Sequence, residues 1–123
     1  MKKAIAKKWV EALRSGDYKQ GKSALRTVGQ NGKTSFCCLG VLCNLHAQAH
    51  PQIARTQTHP EVYLGETEFL PREVMEWAGM KTYDGSYGEE TAYGQEDDLT
   101  QDNDSGLSFK RIATIIEKHV DEL

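Results

Sequence analysis

The chain contains the apolar stretch Phe36-Cys37-Cys38-Leu39-Gly40-Val41-Leu42-Cys43, at which a predicted strand gives way to a predicted helix. The strand is predicted over residues 34–36 and the helix over residues 38–49. The helix prediction rests on four residues that share one helical face, Cys38, Val41, Leu42 and Leu45. Gly40 weakens it because glycine is a poor helix former, and Pro51 is expected to end the helix. We interpret the stretch as core, since free cysteine packs as a small hydrophobic residue.

A β-hairpin is predicted immediately before this stretch. Residues 24–28 and 34–36 flank the sequence Gln30-Asn31-Gly32-Lys33. Asn-Gly favours a hairpin because both residues tolerate the positive φ of a type I′ turn. Further towards the N-terminus, a helix is predicted over residues 3–15, with Ile5, Trp9 and Leu13 on one stripe and Gly16 at its end. A polar connector covers residues 17–21.

The C-terminal half is predicted to contain two more helices. Residues 52–60 are predicted as loop, and residues 62–64 and 68–69 as two short strands. Pro71 suits the first turn of a short helix that ends at Gly79, because its missing amide has no partner there. The last helix is predicted from a Ser108 cap to about Leu123. The intervening residues 80–96, rich in glycine, tyrosine and acid, are predicted to form a mobile loop.

These elements predict a single globular α+β domain over residues 1–123, with about four helices and one or two short β-hairpins. The predicted core consists of the large apolar residues on the helical stripes: Trp9, Leu42, Leu45, Trp77, Phe109, Ile112 and Ile116.

The composition predicts a cytoplasmic protein without a membrane partner. No apolar run approaches the roughly 20 residues needed to span a bilayer, and the basic N-terminus lacks the apolar stretch of a signal peptide. The three cysteines are odd in number and crowd into seven residues. Secreted domains of this size usually carry even, spread-out sets, so we expect free thiols in a reducing cytosol.

The net charge of −3 conceals a strong asymmetry along the chain. Residues 1–33 carry nine lysines and arginines against two acids, whereas residues 82–109 carry eight acids and no lysine or arginine. Two lobes of opposite charge could steer a charged ligand, or meet within one molecule or between subunits. A homo-oligomer is therefore one expectation; two solvated surfaces are the alternative.

Two groups of cysteine and histidine residues have the types, but not the full pattern, of a catalytic or metal site. Cys37 or Cys38, at a predicted helix N-terminus, could be an activated nucleophile, but none of the four histidines lies in a recognisable motif that would supply the base. Cys43, His46 and His50 share a helical face and are of ligand types that zinc accepts. Histidines at a helix end are more often ordinary surface residues. We therefore predict no catalytic residue, no metal and no cofactor.

Two further binding modes are disfavoured by the sequence. Aligning Gly106 with the glycine of an EF-hand loop places Ile112 where the calcium-binding glutamate belongs, so residues 102–106 are predicted as a turn. The basic N-terminal lobe could contact phosphates, but it lacks interleaved aromatic residues and the pI is about 5.8. Nucleic acid is not an expected partner.

Several segments, in the same order and covering most of the chain, carry a resemblance to known proteins. They are residues 9–16 (WVEALRSG) with 18–21, residues 36–43 (FCCLGVLC), Leu70-Pro71 with Trp77-Ala78-Gly79, and residues 103–106 (NDSG) with Ser108-Phe109 and Ile112-Ala113. In these segments the chain resembles a family of small bacteriophage and prophage proteins without established chemistry. The histidines between residues 46 and 59 depart from the family pattern, which further disfavours a metal site.

The resemblance implies a phage-encoded antagonist of host defence in the host bacterial cytosol, acting on a host protein or by sequestering a nucleotide immune signal. A nucleotide binder needs cationic and amide donors for phosphates and aromatic surfaces for bases. Two polar stretches offer such groups, and they supply the predicted ligand-binding residues: Tyr18, Gln20, Lys22, Arg26, Asn103 and Asp104. Alternatively, Tyr18 and Asn103 only pin turns.

The leading hypothesis is a non-catalytic sponge for a nucleotide-type ligand, held at a subunit interface. One alternative is a protein–protein inhibitor that uses the acidic Tyr/Gly loop as its contact surface. The other alternative is a cysteine hydrolase.

Overall fold

The computed structural model describes residues 1–89, 92–94 and 96–123, and in them the chain forms an α+β domain with six helices and two antiparallel strand pairs. In chain order the elements are α1 (Lys3–Arg14), β1 (Arg26–Val28), β2 (Thr34–Phe36), α2 (Cys38–Ala49), α3 (Pro51–Thr56), α4 (Arg72–Ala78), β3 (Ser86–Tyr87), β4 (Asp97–Asp98), α5 (Leu99–Asp104) and α6 (Phe109–Lys118).

Helix α2 lies at the centre of the fold. Its first six residues are all buried, and it contacts α1, α3, α4, α5 and β2. A helix that is apolar on nearly every side requires such enclosure. The strand-to-helix transition predicted at residues 36–38 is confirmed, with both element boundaries as expected. The indole Nε1 of Trp9 on α1 donates to the carbonyl of Cys38 at 2.9 Å, which fixes α1 against the start of α2.

Gly40 allows the backbone before β1 to pack directly on α2. A Cβ atom at this position would lie 1.7 Å from the carbonyl oxygen of Leu25. The glycine that weakens the helix prediction is therefore required by packing, because no side chain fits between these two backbone segments.

Helices α1 and α6 pack against each other and bury one stripe each. Five of the seven predicted core residues are buried, namely Trp9, Leu42, Phe109, Ile112 and Ile116. The prediction was wrong for Leu45 and Trp77, which are half-buried and pack against the outside of the core. Both lie where their helices approach the surface.

The predicted hairpin is confirmed, but its turn differs from the expected one. Strands β1 and β2 pair with Val28 opposite Thr34. The carbonyl of Gly29 accepts from the amide of Gly32 at 2.9 Å, and the amide of Gly29 donates to the carbonyl of Lys33 at 2.8 Å. Gly32 has φ +77° whereas Asn31 has no positive φ. The connection is therefore a three-residue loop closed by a left-handed glycine rather than a type I′ turn.

The predictions for the middle of the chain were wrong in part. Of the loop predicted over residues 52–60, residues 52–56 belong to helix α3, since Pro51 occupies its first turn, and residues 57–60 lie outside any helix or strand. The two strands predicted at residues 62–64 and 68–69 are replaced by one isolated bridge between Tyr63 and Glu66. The bridge closes a tight turn in which Leu64 and Gly65 have φ of +48° and +85°. Positive φ at two successive residues ends a strand there.

The C-terminal helix is shorter than predicted. Helix α6 ends at Lys118, and the following turn brings Leu123 into the core, where its carbonyl accepts from the amide of Lys81 at 2.7 Å. The amino group of Met1 donates to the carbonyl of Val120 at 2.9 Å. These contacts replace the last helical turn that periodicity alone indicates.

The acidic segment has more structure than a simple loop. Strand β3 lies within the predicted loop of residues 80–96 and pairs with β4 just beyond it. The predicted turn at residues 102–106 is wrong in part, because residues 99–104 form helix α5. The side chain of Asp98 caps this helix by accepting from the amide of Gln101 at 2.8 Å. The predicted mobility of the loop falls partly on residues 90, 91 and 95, which lie outside the described residues. None of the described helices is long and apolar enough to cross a bilayer.

Replacing Gly40 by alanine tests the backbone contact between Leu25 and α2. Alanine is the better helix former, but its methyl group would collide with the Leu25 carbonyl. We expect Gly40→Ala to lower the free energy of unfolding by about 3 kcal/mol or more, as overpacking does. Gly16→Ala is the matched control. A Cβ added at Gly16 meets no atom within 4 Å, but the residue has φ of +79°, so we expect the free energy of unfolding to fall by about 1 kcal/mol. Urea denaturation measures both; equal losses would contradict the packing argument.

Candidate functional site

The two predicted polar stretches meet in the structure through Gln20 and Asn103. The Gln20 side chain donates from Nε2 to Asn103 Oδ1 at 3.0 Å and to the carbonyl of Leu107 at 2.7 Å. Its Oε1 accepts from the amide of Phe109, the first residue of α6, at 3.1 Å. Gln20 thus satisfies an amide that a helix N-terminus leaves without an intrahelical partner.

Asn103 is fully buried and uses its whole hydrogen-bonding capacity. Its Oδ1 accepts from Gln20 Nε2 and also from the amide of Cys38, the first residue of α2, at 3.2 Å. Its Nδ2 donates to the carbonyl of Gly21 at 2.8 Å and to Asp104 Oδ1 at 3.2 Å. We call these contacts the Gln20–Asn103 network. They join α2, α5, α6 and the connector after α1, so a ligand could bind either amide only by replacing bonds of the fold.

Asp104 and Tyr18 extend this arrangement at its edges. Asp104 Oδ1 accepts from the amide of Ser23 at 2.9 Å, which holds Ser23 at φ +64°. Asn44 Nδ2 donates to the hydroxyl oxygen of Tyr18 at 2.6 Å, and the Tyr18 ring meets the Phe36 ring edge-on at 5.1 Å. Tyr18 and Asn103 thus hold separate segments of the fold together, and the alternative that they only pin turns stays a prediction. Lys22 is exposed and lies in no ion pair among the described residues.

Arg26 differs from the other predicted site residues. Its guanidinium carbon lies 5.7 Å from the centre of the Phe36 ring. Its Nε is buried and has no hydrogen-bond partner among the described residues. A buried donor without a partner costs about 1–3 kcal/mol, so an acceptor supplied from outside would be favoured here.

Arg26 lines a small cavity with Phe36, Asn44, Glu61, Val62 and Tyr63, which we call the Arg26 groove. The volume is about 40 Å³, enough for one or two water-sized groups. The sequence does not predict Phe36, Asn44, Glu61 or Tyr63 as site residues. Phe36 belongs to the predicted strand and core stretch, and no pattern around Glu61 indicates a contact with Arg26.

Cys37 and Cys38 lie at the N-terminus of α2 as predicted, but neither is exposed or acidic enough to act as a nucleophile. All three are buried, and burial raises the pKa of Cys37 to about 11 and the pKa of Cys38 and Cys43 well above the usual range. Cys37 Sγ accepts from the amide of Gly40 at 3.4 Å, as a helix cap. The thiols are therefore protonated at neutral pH and serve as packing groups.

His46 and His50 form an aromatic cluster with Tyr63 and Trp77. The two imidazole rings stack at 4.2 Å between centroids, and Trp77 meets both edge-on. Nδ1 of His46 shares a 2.6 Å hydrogen bond with the hydroxyl of Tyr63, and Nδ1 of His50 bonds to the carbonyl of His46 at 2.8 Å. In the described part of the chain, no three histidine, cysteine or acidic residues are grouped to hold a metal.

The acidic and basic lobes do not form ion pairs with each other in the part of the chain that the structure describes. The ion pairs found there join Arg14 to Glu117, Arg72 to Glu76 and His119 to Glu122. Tyr87 donates to Asp102 Oδ2 at 2.5 Å, and burial raises the pKa of both groups. Tyr83 and Tyr93 in this segment are 55% and 92% exposed.

Comparison with known proteins gives a family and no function. A family model described as "Domain of unknown function (DUF8296)" matches residues 1–120. No curated protein and no solved structure matches the chain.

Truncating either amide of the Gln20–Asn103 network tests whether it holds the fold together. Asn103→Ala leaves the Cys38 amide and the Gly21 carbonyl without their partner. We therefore expect the free energy of unfolding to fall by about 3 kcal/mol or more. Gln20→Ala should cost less, and the double variant should reveal a coupling of roughly 1–2 kcal/mol. Gln101→Ala, on the exposed side of α5, is the control and should cost less than about 0.5 kcal/mol. Strict additivity in urea denaturation would show that the two amides act independently.

The His46 ring makes stability depend on pH. Burial, followed by the neighbouring His50, lowers the pKa of His46, while Glu73 opposes the shift. The folded state therefore binds fewer protons than the unfolded state, so this contribution is complete above about pH 6.5 and is lost as the pH falls below it.

We expect Tm to fall as the buffer is changed from roughly pH 7.5 to pH 5.5, and His46→Gln to flatten that slope. The readout is the slope of Tm against pH, so a uniform loss of stability in the variant does not affect it. An unchanged slope in His46→Gln would show that other groups carry the dependence.

Proposed function

The chain belongs to the DUF8296 family, and we propose that it is a non-catalytic binding protein for a nucleotide-type ligand, acting as a phage-encoded antagonist of bacterial host defence. In this role it would hold a nucleotide immune signal in the cytosol of the infected cell and keep it from its receptor.

The observation that carries the proposal is the buried Nε of Arg26, which has no hydrogen-bond partner among the described residues and belongs to a guanidinium beside the Phe36 ring. Guanidinium groups bind phosphate through charge-assisted hydrogen bonds. Stacking on an aromatic ring holds such a group in place at a small cost in side-chain entropy. A phosphate oxygen bound at Arg26 Nε would supply the acceptor that the described residues do not provide.

The size of the Arg26 groove limits how a ligand could bind. Pockets that enclose a whole small molecule occupy about 300–1,000 Å³, whereas this cavity occupies about 40 Å³. The cavity therefore admits one or two oxygens of a phosphate group rather than a whole nucleotide. The rest of the ligand would lie across the exposed surface near Lys19 and Lys22, whose neighbouring backbone pairs with Phe36. A second copy of the chain over this surface would enclose the ligand, which is the proposed role of an oligomer.

The state of the thiols favours binding over catalysis. A cysteine hydrolase needs a thiolate with access to substrate, and the pKa of Cys37 is raised to about 11 by burial. The geometry thus gives no support to the hydrolase alternative.

Calorimetry with the purified protein tests the proposed function. We expect heat of binding from at least one member of a panel of cyclic dinucleotides and cyclic ADP-ribose isomers. Arg26→Gln should weaken that binding at least about tenfold, because it removes the charged donor. Arg111→Gln removes an exposed arginine of α6, outside the groove, and should leave the affinity unchanged.

Absence of heat and of a thermal shift with the whole panel would rule out sequestration of these ligands. The exposed tyrosines of the acidic segment favour the protein–protein inhibitor as the second candidate, since tyrosine is enriched at interface hot spots. In that case a single host protein should be retained in stoichiometric amount by the immobilised chain.

A further inference from the structure

We propose that the carboxylate of Glu61 occupies the anion position of the Arg26 groove, and that a phosphate group of the ligand binds by displacing it. The inference rests on the proposed binding function and adds two things to it. It assigns the anion subsite to the Arg26 guanidinium together with the amide of Val28, and it makes Glu61 the residue that sets the affinity.

The first observation is the hydrogen bond between Glu61 and the hairpin. Glu61 Oε1 accepts from the amide of Val28 at 3.0 Å. Val28 is two residues beyond Arg26 on β1, so the two side chains lie on one face of the strand. The Val28 amide lies on the edge of β1 that faces away from β2, and there it acts as a donor to an anion from another segment.

The second observation is that this carboxylate leaves Arg26 without an ion pair. Glu61 and Arg26 line the same cavity, yet no ion pair joins them, and the buried Nε keeps no partner among the described residues. Of the two donors, the Val28 amide and Arg26 Nε, the Glu61 carboxylate therefore accepts from the Val28 amide alone among the described contacts. A phosphate group carries three acceptor oxygens and could serve the Val28 amide and Arg26 Nε together.

The third observation is that the bond from Glu61 to Val28 is the hydrogen bond that ties residues 57–62 to the hairpin. Tyr63, which follows, is buried and bonded to His46, so the displacement would be confined to the Glu61 side chain. Within the segment, Gln57 Nε2 donates to the carbonyl of Val62 at 2.7 Å, and the amide of Glu61 bonds to the His59 ring at 3.2 Å. These bonds are internal and would survive a displacement. The bond from Glu61 to Val28 is the one that the phosphate would replace, at a small cost to the fold.

The inference predicts that removing the charge of Glu61 tightens binding. Glu61→Gln keeps an amide oxygen for the Val28 amide but no longer repels an anion, so we expect the nucleotide found by calorimetry, and inorganic pyrophosphate, to bind about fivefold more tightly at low salt. Glu61→Ala removes the competing acceptor as well and should bind at least as tightly. Glu66→Gln removes an equal charge from an exposed position and should leave the affinity unchanged.

The location is tested independently by the amide resonance of Val28 in ¹⁵N-labelled protein. Pyrophosphate should shift this resonance strongly in the Glu61→Gln variant and far less in the Arg26→Gln variant.

The outcomes separate the inference from the proposed function. If the native chain binds a nucleotide and Glu61→Gln binds no more tightly, or the Val28 resonance does not move, the inference is wrong while the binding function stands. If neither the native chain nor Glu61→Gln binds any probe, both are wrong. Binding by Glu61→Gln alone supports the inference and shows that the native carboxylate keeps the site closed.

Discussion

The side-chain amide of Asn103 is the constraint on which the rest of the fold depends. Because it is buried, each of its donors and acceptors needs a partner, and those partners belong to segments far apart in the sequence. The hydrogen bonds of this one amide therefore fix the start of α2 relative to α5 and to the connector. Gln20, which bonds to both Asn103 and the first amide of α6, fixes α6 in the same arrangement. Apolar packing alone would permit several ways of arranging these helices; the network selects one of them.

Local patterns in the sequence predicted the elements whose cause is local. The start of α2, the hairpin and the Ser108 cap of α6 follow from periodicity, turn residues and capping, and all three are found in the structure. Helix α3 and the turn at Leu64 also have local causes, namely Pro51 in the first helical turn and positive φ at Leu64 and Gly65, but neither produces a hydrophobic pattern that indicates it. The early end of α6 depends on contacts with distant segments, which a single sequence does not encode as a local pattern.

The candidate site was likewise predictable only in part. The sequence identifies the two polar stretches, but residue types alone do not show which of their side chains form hydrogen bonds within the fold. Gln20 and Asn103 turned out to be occupied internally, whereas Arg26 kept a buried donor without a described partner. The charge asymmetry, visible in the sequence, produces no ion pair between the two lobes among the described residues. Both lobes thus present charge to whatever approaches the molecule.

The contact between Gly40 and Leu25 has a consequence for how such a site could diversify. It is a contact between two backbones, so at this point the distance between α2 and the residue before β1 is set without an intervening side chain. Side chains around the groove could therefore change in size or charge while this backbone contact still holds the start of the hairpin against α2.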